Sequence, residues 1–485
     1  MADKEGDGCN MKRVLLVNTN IERAPYPVPP LGLCMLANSL RDHYDVKIYD
    51  GVFDEGRNLI AMVKQFNPDF IGFSIRNIDD IVMDREIFYL NDILDKFIQP
   101  VMSITEVPII LGGSGFSIFP VECMKLSGAD FGIVGEAESI LPALLDRLQF
   151  NLDLSVIPSL ITSENWQVQQ SNSVFYPKPT LNRFSEIDSW IDFTPYLPKG
   201  VYSIQTKRGC SHGCIYCTYP VIEGRQFRTR KPSDIVDEIE LAHKRLGYIT
   251  FEFVDSTFND PSGHAEAICR EIIKRNIKVR LRTMGINPRH TSEELFELMK
   301  VSGFFQIDVT PDSASPRLLK NLDKGFNLAE IEKMALLIRK FDIPAMWFFL
   351  FGGPGEDEET FRETIDFIGK YINPKDMVYL NAGLRIYPGT PLYSISESEG
   401  RIAAGESVFQ PPAYYFSDKI TKNRLDHLIK EASLFYHNCI PAMETAPPPE
   451  MISEAIATRK RDQLDEPMFR TLLQIRKKWR HEGKI

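Results

Sequence analysis

The chain has 485 residues, of which 43% are hydrophobic and 25% charged, and a formal net charge of −10. That length exceeds what one ordinary core organises and predicts two or three domains, while the acidic balance argues against a broad nucleic-acid-binding surface. No run of about 18 or more apolar residues occurs, so no membrane span is expected. The acidic start "MADKEGDGCNMKRVLLVN" lacks the basic-then-apolar order of a signal peptide, and a cytoplasmic protein is expected.

In chain order, residues 1–150 alternate short apolar runs with amphipathic stretches. Strands are predicted at 14–17, 46–49, 70–75, 108–111 and 131–134, with helical spacing between them, as in Leu33, Leu36, Ala37 and Leu40. Continuous apolar strands separated by helices imply a parallel sheet covered on both faces, a doubly wound Rossmann-like α/β domain. Residues 151–200 lose that rhythm. Pro158, Pro177, Pro179, Pro195 and Pro198 suggest a linker with some hairpin content.

From 201 to 400 the alternation returns with a longer beat. Strands are predicted at 201–206, 249–254, 277–283, 304–309, 344–350 and 376–386, with helices near 232–246, 262–275, 291–302, 327–341 and 356–372. Six β/α units suggest a partial TIM-like barrel whose chemistry sits at the C-terminal strand ends. Residues 401–485 read as a helical region, with helices around 420–437 and 450–480, and end in the basic "RKKWRHEGKI", read as a solvated helix end. "QPPAYYFSD" and "LFYHNCIPAM" are expected either as core or as walls of an apolar pocket suited to a hydrophobic or lipid-like substrate.

Of the 8 cysteines, Cys9, Cys34, Cys123, Cys269 and Cys439 are scattered singly and read as incidental thiols. Cys210, Cys214 and Cys217 fall in one loop spaced C-x3-C-x2-C. Structural zinc wants four ligands, and His212 inside the loop could complete such a set. Clustered thiolates equally suit iron–sulfur ligation. A four-iron cluster on three cysteines leaves one iron open to a small molecule.

"TKRGCSHGCIYC" (206–217), with Tyr216 before the third cysteine, resembles the cluster loop of the radical S-adenosylmethionine superfamily. "FVDSTFND" (253–260), "DVTPDSASPRLLKNLDKG" (308–325), "FFLFGGPGEDEETF" (348–361) and "RIYPGTPLY" (385–393) resemble that family's second-, fourth-, fifth- and sixth-strand elements. The resemblance implies a 4Fe-4S cluster on the three cysteines and S-adenosyl-L-methionine near Tyr216, Asp255, Asp312, Gly352 and Gly353. Pro311 and Asp312 stand where the family carries Ile–Glu. An acidic side chain suits hydroxyl or ammonium groups, and paired glycines let the backbone approach a flat ring.

No GxGxxG follows the first strand, which weakens a dinucleotide reading of the first domain. Its loops "NTNIERAPYPVPPLGLCMLANSL", "SIRNIDD", "GGSGFSIFP" and "GEAES" resemble the cobalamin-binding domain that precedes many radical S-adenosylmethionine proteins. That resemblance implies cobalamin bound beyond the strand ends. Ser74, Arg76 and Asn77 would meet the lower face of cobalt, Gly112, Gly113 and Ser114 the nucleotide tail, and Gly135 and Glu136 the same crevice. Cobalamin mutases carry a cobalt-ligating histidine. Here His43 is the only histidine in the first 150 residues, so cobalt should lack a histidine ligand.

The implied activity is a cobalamin-dependent radical S-adenosylmethionine methyltransferase. A 5′-deoxyadenosyl radical abstracts hydrogen from an unactivated carbon, which then takes a methyl group from methylcobalamin. Partners would be a small-molecule substrate and an electron donor such as flavodoxin or ferredoxin. The alternative is a cyclase or oxidoreductase without methyl transfer, like the magnesium-protoporphyrin ester cyclase. Methylthiolation fits less well, because its enzymes carry three further cluster cysteines that Cys9, Cys34 and Cys123 do not resemble. A zinc-stabilised or non-catalytic cobalamin-binding protein would need no open iron, and the complete six-unit pattern argues against it.

Overall fold

The computed structural model describes residues 11–24, 26–83, 87–169, 187–444 and 446–484. Cys9, Pro177 and Pro179 lie outside them. The chain divides into two units. The first runs to Asp79 and from Phe88 to Lys199; the second comprises Asp80–Ile87 and Gly200 onward.

The first unit is built on strands β1 (Arg13–Asn18), β2 (Asp45–Asp50), β3 (Phe70–Ser74), β4 (Ile109–Gly112), β5 (Phe131–Ile133) and β6 (Leu160–Thr162), in the order β2-β1-β3-β4-β5-β6. The first five are parallel and β6 runs antiparallel to β5. Because β1 is flanked by β2 on one side and β3 on the other, the connections reverse direction there, which opens a crevice at the C-terminal strand ends. One side of the core joins Val14, Leu16, Leu33, Ala37, Leu40, Ile110 and Leu144. Residues 151–200, expected as a linker, add to that core through Ile157 and Leu160. Trp190 Nε1 donates to Asn38 at 2.6 Å and the Tyr196 hydroxyl donates to Asp50, so the described parts of this segment, 151–169 and 187–199, pack on the first unit. Isolated apolar residues in a proline-rich stretch show no period, which is why the sequence reads as a connector.

The second unit carries β7 (Val201–Ile204), β8 (Thr250–Phe253), β9 (Arg280–Ile286), β10 (Phe304–Asp312), β11 (Ala345–Phe351), β12 (Met377–Ala382) and β13 (Cys439–Pro441). All pair in parallel, and spatial order follows chain order from β7 to β13. This is the succession of a β/α barrel that does not close. Helices Pro232–Leu246, His264–Lys274, Glu293–Ser302, Leu328–Phe341 and Glu358–Tyr371 link the strands. Their starts are chemically marked. Asn327 with Glu330 and Asp357 with Thr360 form reciprocal capping boxes, and Ser292 caps through Leu295 N. The helices cover the face bearing Trp347 and Phe349, both packed on Phe367.

The C-terminal region holds helices Lys422–Phe435, Pro449–Asp462 and Met468–His481. It is not purely helical, since "LFYHNCIPAM" supplies β13. Three residues paired at one edge are too short to show alternation. In the same segment Leu434 and Phe435 face solvent. No helix of the described residues is long and apolar enough to cross a membrane.

Candidate functional site

The cysteine loop leaves the C-terminal end of β7. Gly209 has φ +85°, and a Cβ there would fall 2.0 Å from the Gln226 carbonyl oxygen, so only glycine fits before Cys210. Asp255, just past β8, uses both carboxylate oxygens on the start of this loop. Oδ1 accepts from Thr206 N at 2.7 Å and Lys207 N at 3.2 Å, and Oδ2 from the Thr206 hydroxyl at 2.6 Å. Lys207 Nζ stands 3.6 Å from Oδ2 with neither side chain exposed, and it also donates to Thr257 O. Asp255 is thus the brace of the cysteine loop, a role its place in the sequence does not distinguish from ligand contact. Further along, Ile215 N donates to Leu322 O at 3.2 Å and Leu392 N to Ile215 O at 2.9 Å. The fourth- and sixth-strand segments therefore strap the loop.

His212 does not join the thiols. Its Nε2 lies 2.8 Å from Asp260 Oδ2, and the Asn287 amide donates to the same carboxylate at 3.0 Å. Burial disfavours the ionised Asp260, but hydrogen bonds from His212, Thr257 and Asn287 outweigh it and hold that carboxyl below its ordinary range. The zinc alternative needed His212 as fourth ligand. Among the described residues no three His, Cys, Asp or Glu side chains converge as one metal ion requires. An iron–sulfur cluster, in which each cysteine binds a different iron, makes no such demand.

The donor set fits a cluster chemically. Burial pushes the Cys217 thiol up to about 12, and Cys214 and Cys210 push the same way. Cys214 is raised too, by burial first, against the pull of Lys324. Thiols that disfavour one another's ionisation become thiolates once cationic iron shares the loop.

Tyr216 and Asp312 meet here. The Tyr216 hydroxyl donates to Asp312 Oδ2, and Lys324 Nζ reaches the same oxygen at 2.5 Å, Tyr216 Oη at 3.1 Å and Thr310 O at 3.2 Å. Burial and the Asp312 charge hold the Tyr216 phenol well above its ordinary range. Burial opposes the charge on Lys324, but Asp312, Tyr216 and Cys214 outweigh it, so the ammonium is strongly retained. Lys324 is a site residue that sequence reasoning passed over. It stands in the sequence as the lysine before the final glycine of "LLKNLDKG" (318–325).

At the fifth strand, Gly352 has φ +99°, and a Cβ there would stand 3.1 Å from Phe416 of "QPPAYYFSD". At Gly353 it would stand 3.1 Å from Leu322. The pair thus makes room for neighbouring side chains. Glu356, also unmarked by sequence, accepts from Gly352 N at 2.9 Å. Its carboxyl is raised to about 7 by burial, which bonds from Gly352, Gly353 and Thr360 only partly offset.

In the first unit, the residues expected at the cobalamin face lie together beyond β3, β4 and β5. Ser74 is in register with Gly112. Arg76, exposed, accepts the Ser114 hydroxyl on its carbonyl at 2.9 Å, with Asn77 part-buried beside it. Gly113 has φ +103°, and its Cβ would lie 2.5 Å from Ile75 O, so that glycine serves backbone packing. Gly112 differs: the nearest atom to a Cβ there is Ile133 O at 3.9 Å, space a ligand can use. Ser117 donates to Gly113 O at 2.8 Å and accepts from Gly135 N at 2.9 Å, tying the β4 and β5 loops, with part-buried Glu136 alongside. Thr19, which donates to Ser74 O at 2.8 Å, and the buried Asn18 and Asn20 complete the edge at the switch point. The sequence signal was a polar "NTN" directly after an apolar strand. His43 is exposed and lies two residues before β2, at the opposite, N-terminal edge of the strands. Cys34 and Cys123 are fully buried, with thiols raised by burial, and form no further cluster site.

The fold and the three-cysteine loop define a radical S-adenosylmethionine enzyme. Residues 204–368 match the model of the Radical SAM superfamily and residues 17–145 that of the B12 binding domain. The chain thus carries a radical SAM domain with a B12-binding domain ahead of it. It is 26% identical over 377 residues to an uncharacterized methyltransferase of Pyrococcus horikoshii, PH0819, covering 75% of this chain and 78% of that one. Tryptophan 2-C-methyltransferase of Streptomyces laurentii is 25% identical over 426 residues, covering 73% and 69%. The radical S-adenosylmethionine methyltransferase TsrM of Kitasatospora setae, solved with cobalamin and a 4Fe-4S cluster, superposes with a TM-score of 0.80 at 22% identity, covering 98% of this chain and 100% of that one. This last likeness speaks to the fold.

Proposed function

We propose that the protein is a cobalamin-dependent radical S-adenosylmethionine methyltransferase that transfers a methyl group to an unactivated carbon of a small molecule. The observation that carries this reading is the braced three-cysteine loop at the barrel's C-terminal edge, in one chain with a B12-binding sheet whose C-terminal edge bears no histidine. When bound, the cluster and S-adenosylmethionine supply a 5′-deoxyadenosyl radical and cobalamin supplies the methyl carrier. Cys210, Cys214 and Cys217 would hold the cluster. Asp255 and Lys207 fix where the loop starts. Tyr216, Asp312 and Lys324 form one rigid polar unit beside the cysteines, suited to orienting the polar end of S-adenosylmethionine. Gly112 offers open backbone to cobalamin, with Ser74, Arg76 and Asn77 next to it. Methyltransferases are also the named activity of the relatives above, one of them acting on tryptophan C-2.

The reductant would be a low-potential donor such as flavodoxin or ferredoxin, in a cytoplasmic compartment that keeps the cluster thiols reduced. The test is anaerobic purification with iron, sulfide and cobalamin quantified, then turnover with deuterated-methyl S-adenosylmethionine and reductant. S-adenosylhomocysteine and 5′-deoxyadenosine formed together, with label in a product, support methyl transfer. Deoxyadenosine without labelled product sinks it, and zinc without cluster or cobalamin sinks the whole reading.

A further inference from the structure

The second sheet has a face that the helices do not cover. Strand register sets Ser203, Glu252, Arg282 and Gln306 side by side, then Asp308 beside Met346, Met346 beside Met377 and Phe348 beside Tyr379. Residues pointing to the helices are sealed, with Trp347, Phe349, Phe351 and Leu380 each 1% exposed. Their alternates Phe348, Leu350, Tyr379 and Asn381 stay part-exposed, and Met284 is 50% exposed. A barrel interior filled by its own side chains would bury both sets. This one holds open space.

The space has a floor. Helix Met468–His481 packs Phe469 and Leu473 on Met377, with Met346, Tyr379 and Ile440 around them. Arg470 pairs with Asp376 at 3.0 Å and Arg280 with Asp465, both at strand starts. At the other end stand the cysteine loop and the Tyr216–Asp312–Lys324 unit. Asp308 pairs with Met346 and Asp312 with Phe349 across a bulge in β10, so the two levels are about 10 Å apart along the strands, the length of a small molecule.

The charges on this face do not cancel. Glu252 Oε1 is held by Arg282 at 2.7 Å, and Arg280 is engaged by Asp465. Asp308 is the acid left over. Its Oδ1 accepts from Gln306 Nε2 at 3.1 Å, and its Oδ2 meets no donor among the described residues. Burial pushes this carboxyl up to about 7, against the pull of Gln306 and Arg282, so a bound cation would be what restores its charge. Above it, Phe348 and Tyr379 stack at 5.3 Å and 5°, a flat π surface.

We propose that this inner face is the substrate site, and that Asp308 anchors a cationic nitrogen of a small molecule whose apolar or aromatic body lies along Phe348, Tyr379 and Met284. The assignment rests on the methyltransferase reading only in calling the ligand a substrate; the amine preference stands on the face itself. It also replaces a lipid-like substrate with an amphipathic one bearing an ammonium head.

The test is equilibrium dialysis of the anaerobic holoenzyme with phenethylamine, 2-phenylethanol and 3-phenylpropionate. Phenethylamine should bind at least roughly tenfold more tightly than the alcohol, as a charge-assisted contact predicts, and the carboxylate least. Asp308→Asn should erase the preference for the amine, while Phe348→Ala should weaken amine and alcohol alike. Carbodiimide labelling of the unaltered chain, mapped by mass spectrometry, should modify Asp308 and should be blocked by trimethyl(2-phenylethyl)ammonium, a cation whose quaternary nitrogen cannot itself couple to the activated carboxyl. Equal binding of amine and alcohol, an undiminished preference in Asp308→Asn, or an Asp308 that is unlabelled or unprotected would each overturn the assignment. Iron, cobalamin and deoxyadenosine release are measured on the same preparation. Their failure with amine preference intact would condemn the enzymatic reading and leave the site, and the reverse pattern would condemn the site alone.

Discussion

Lys324 Nζ stands 2.5 Å from Asp312 Oδ2, with only 6% and 9% of the two side chains exposed. The Tyr216 hydroxyl donates to that same oxygen. The fourth-strand segment thus pins the aromatic that precedes the third cysteine, and a buried charge pair is what does the pinning. Such a pair is costly to break from one side, because the remaining charge is stranded. Lys324→Met should therefore destabilise the protein by about 3 kcal/mol, while Lys324→Met with Asp312→Asn should recover a large part of that loss. Urea unfolding of the two variants beside wild type measures the difference, and equal losses would mean that the pair is not coupled.

Glu356 carries a pH signature. Its carboxyl sits near 7 in the fold against an ordinary 4.5. Between those values the folded chain keeps a proton that the unfolded chain releases, so its contribution favours folding at low pH and is lost as pH rises through that window. The total is about 3 kcal/mol, on the order of one decade in equilibrium constant per pH unit. Thermal melts from pH 5 to pH 8 should show wild type losing stability relative to Glu356→Gln as pH rises. Parallel profiles would contradict this.

The sheet strands and most helices were legible because their periods are strong. Parallel strands buried on both faces read as "VLLV" or "FFLF", and helices such as Leu328–Phe341 announce themselves with Asn327 and Glu330. β6 and β13 were not legible, since three residues cannot show a period. At the site, spacing singled out Cys210, Cys214 and Cys217 as a set, while the choice of an iron–sulfur cluster over zinc came from the resemblance. Asp255 was found without its role, because sequence cannot tell a carboxylate that braces a loop from one that meets a ligand. Lys324, Glu356 and Asp308 were missed for a related reason. Their partners are close in the chain, Gly352 and Thr360 for Glu356, Gln306 for Asp308 and Asp312 for Lys324, but it is burial that gives each its role, and a single charged residue shows no period that reveals burial.

The floor of the barrel gives a third prediction. Leu473 is 2% exposed and packs on Met377 from the C-terminal helix. Leu473→Ala should cost about 3 kcal/mol through lost burial and a residual cavity. Because the cysteine loop lies at the other end of the strands, iron content at low temperature should stay at the wild-type level. A variant that loses iron in proportion to stability would show that floor and loop are not independent.

The adjacent glycines after β4 should part company. At Gly113, φ is +103° and a Cβ would press within 2.5 Å of the Ile75 carbonyl oxygen, a backbone atom that cannot rotate away. Gly113→Ala should destabilise the first unit by about 2 kcal/mol or more, whether or not cobalamin is present. At Gly112 the nearest atom is 3.9 Å off, so Gly112→Ala should fold as wild type does. Its methyl group instead occupies the approach to the strand-end backbone beside Ser74. Spectrophotometric titration with hydroxocobalamin should therefore show weakened binding in Gly112→Ala at unchanged melting temperature. Unchanged affinity there would move cobalamin away from this edge, because no other consequence of the substitution could mask a lost contact.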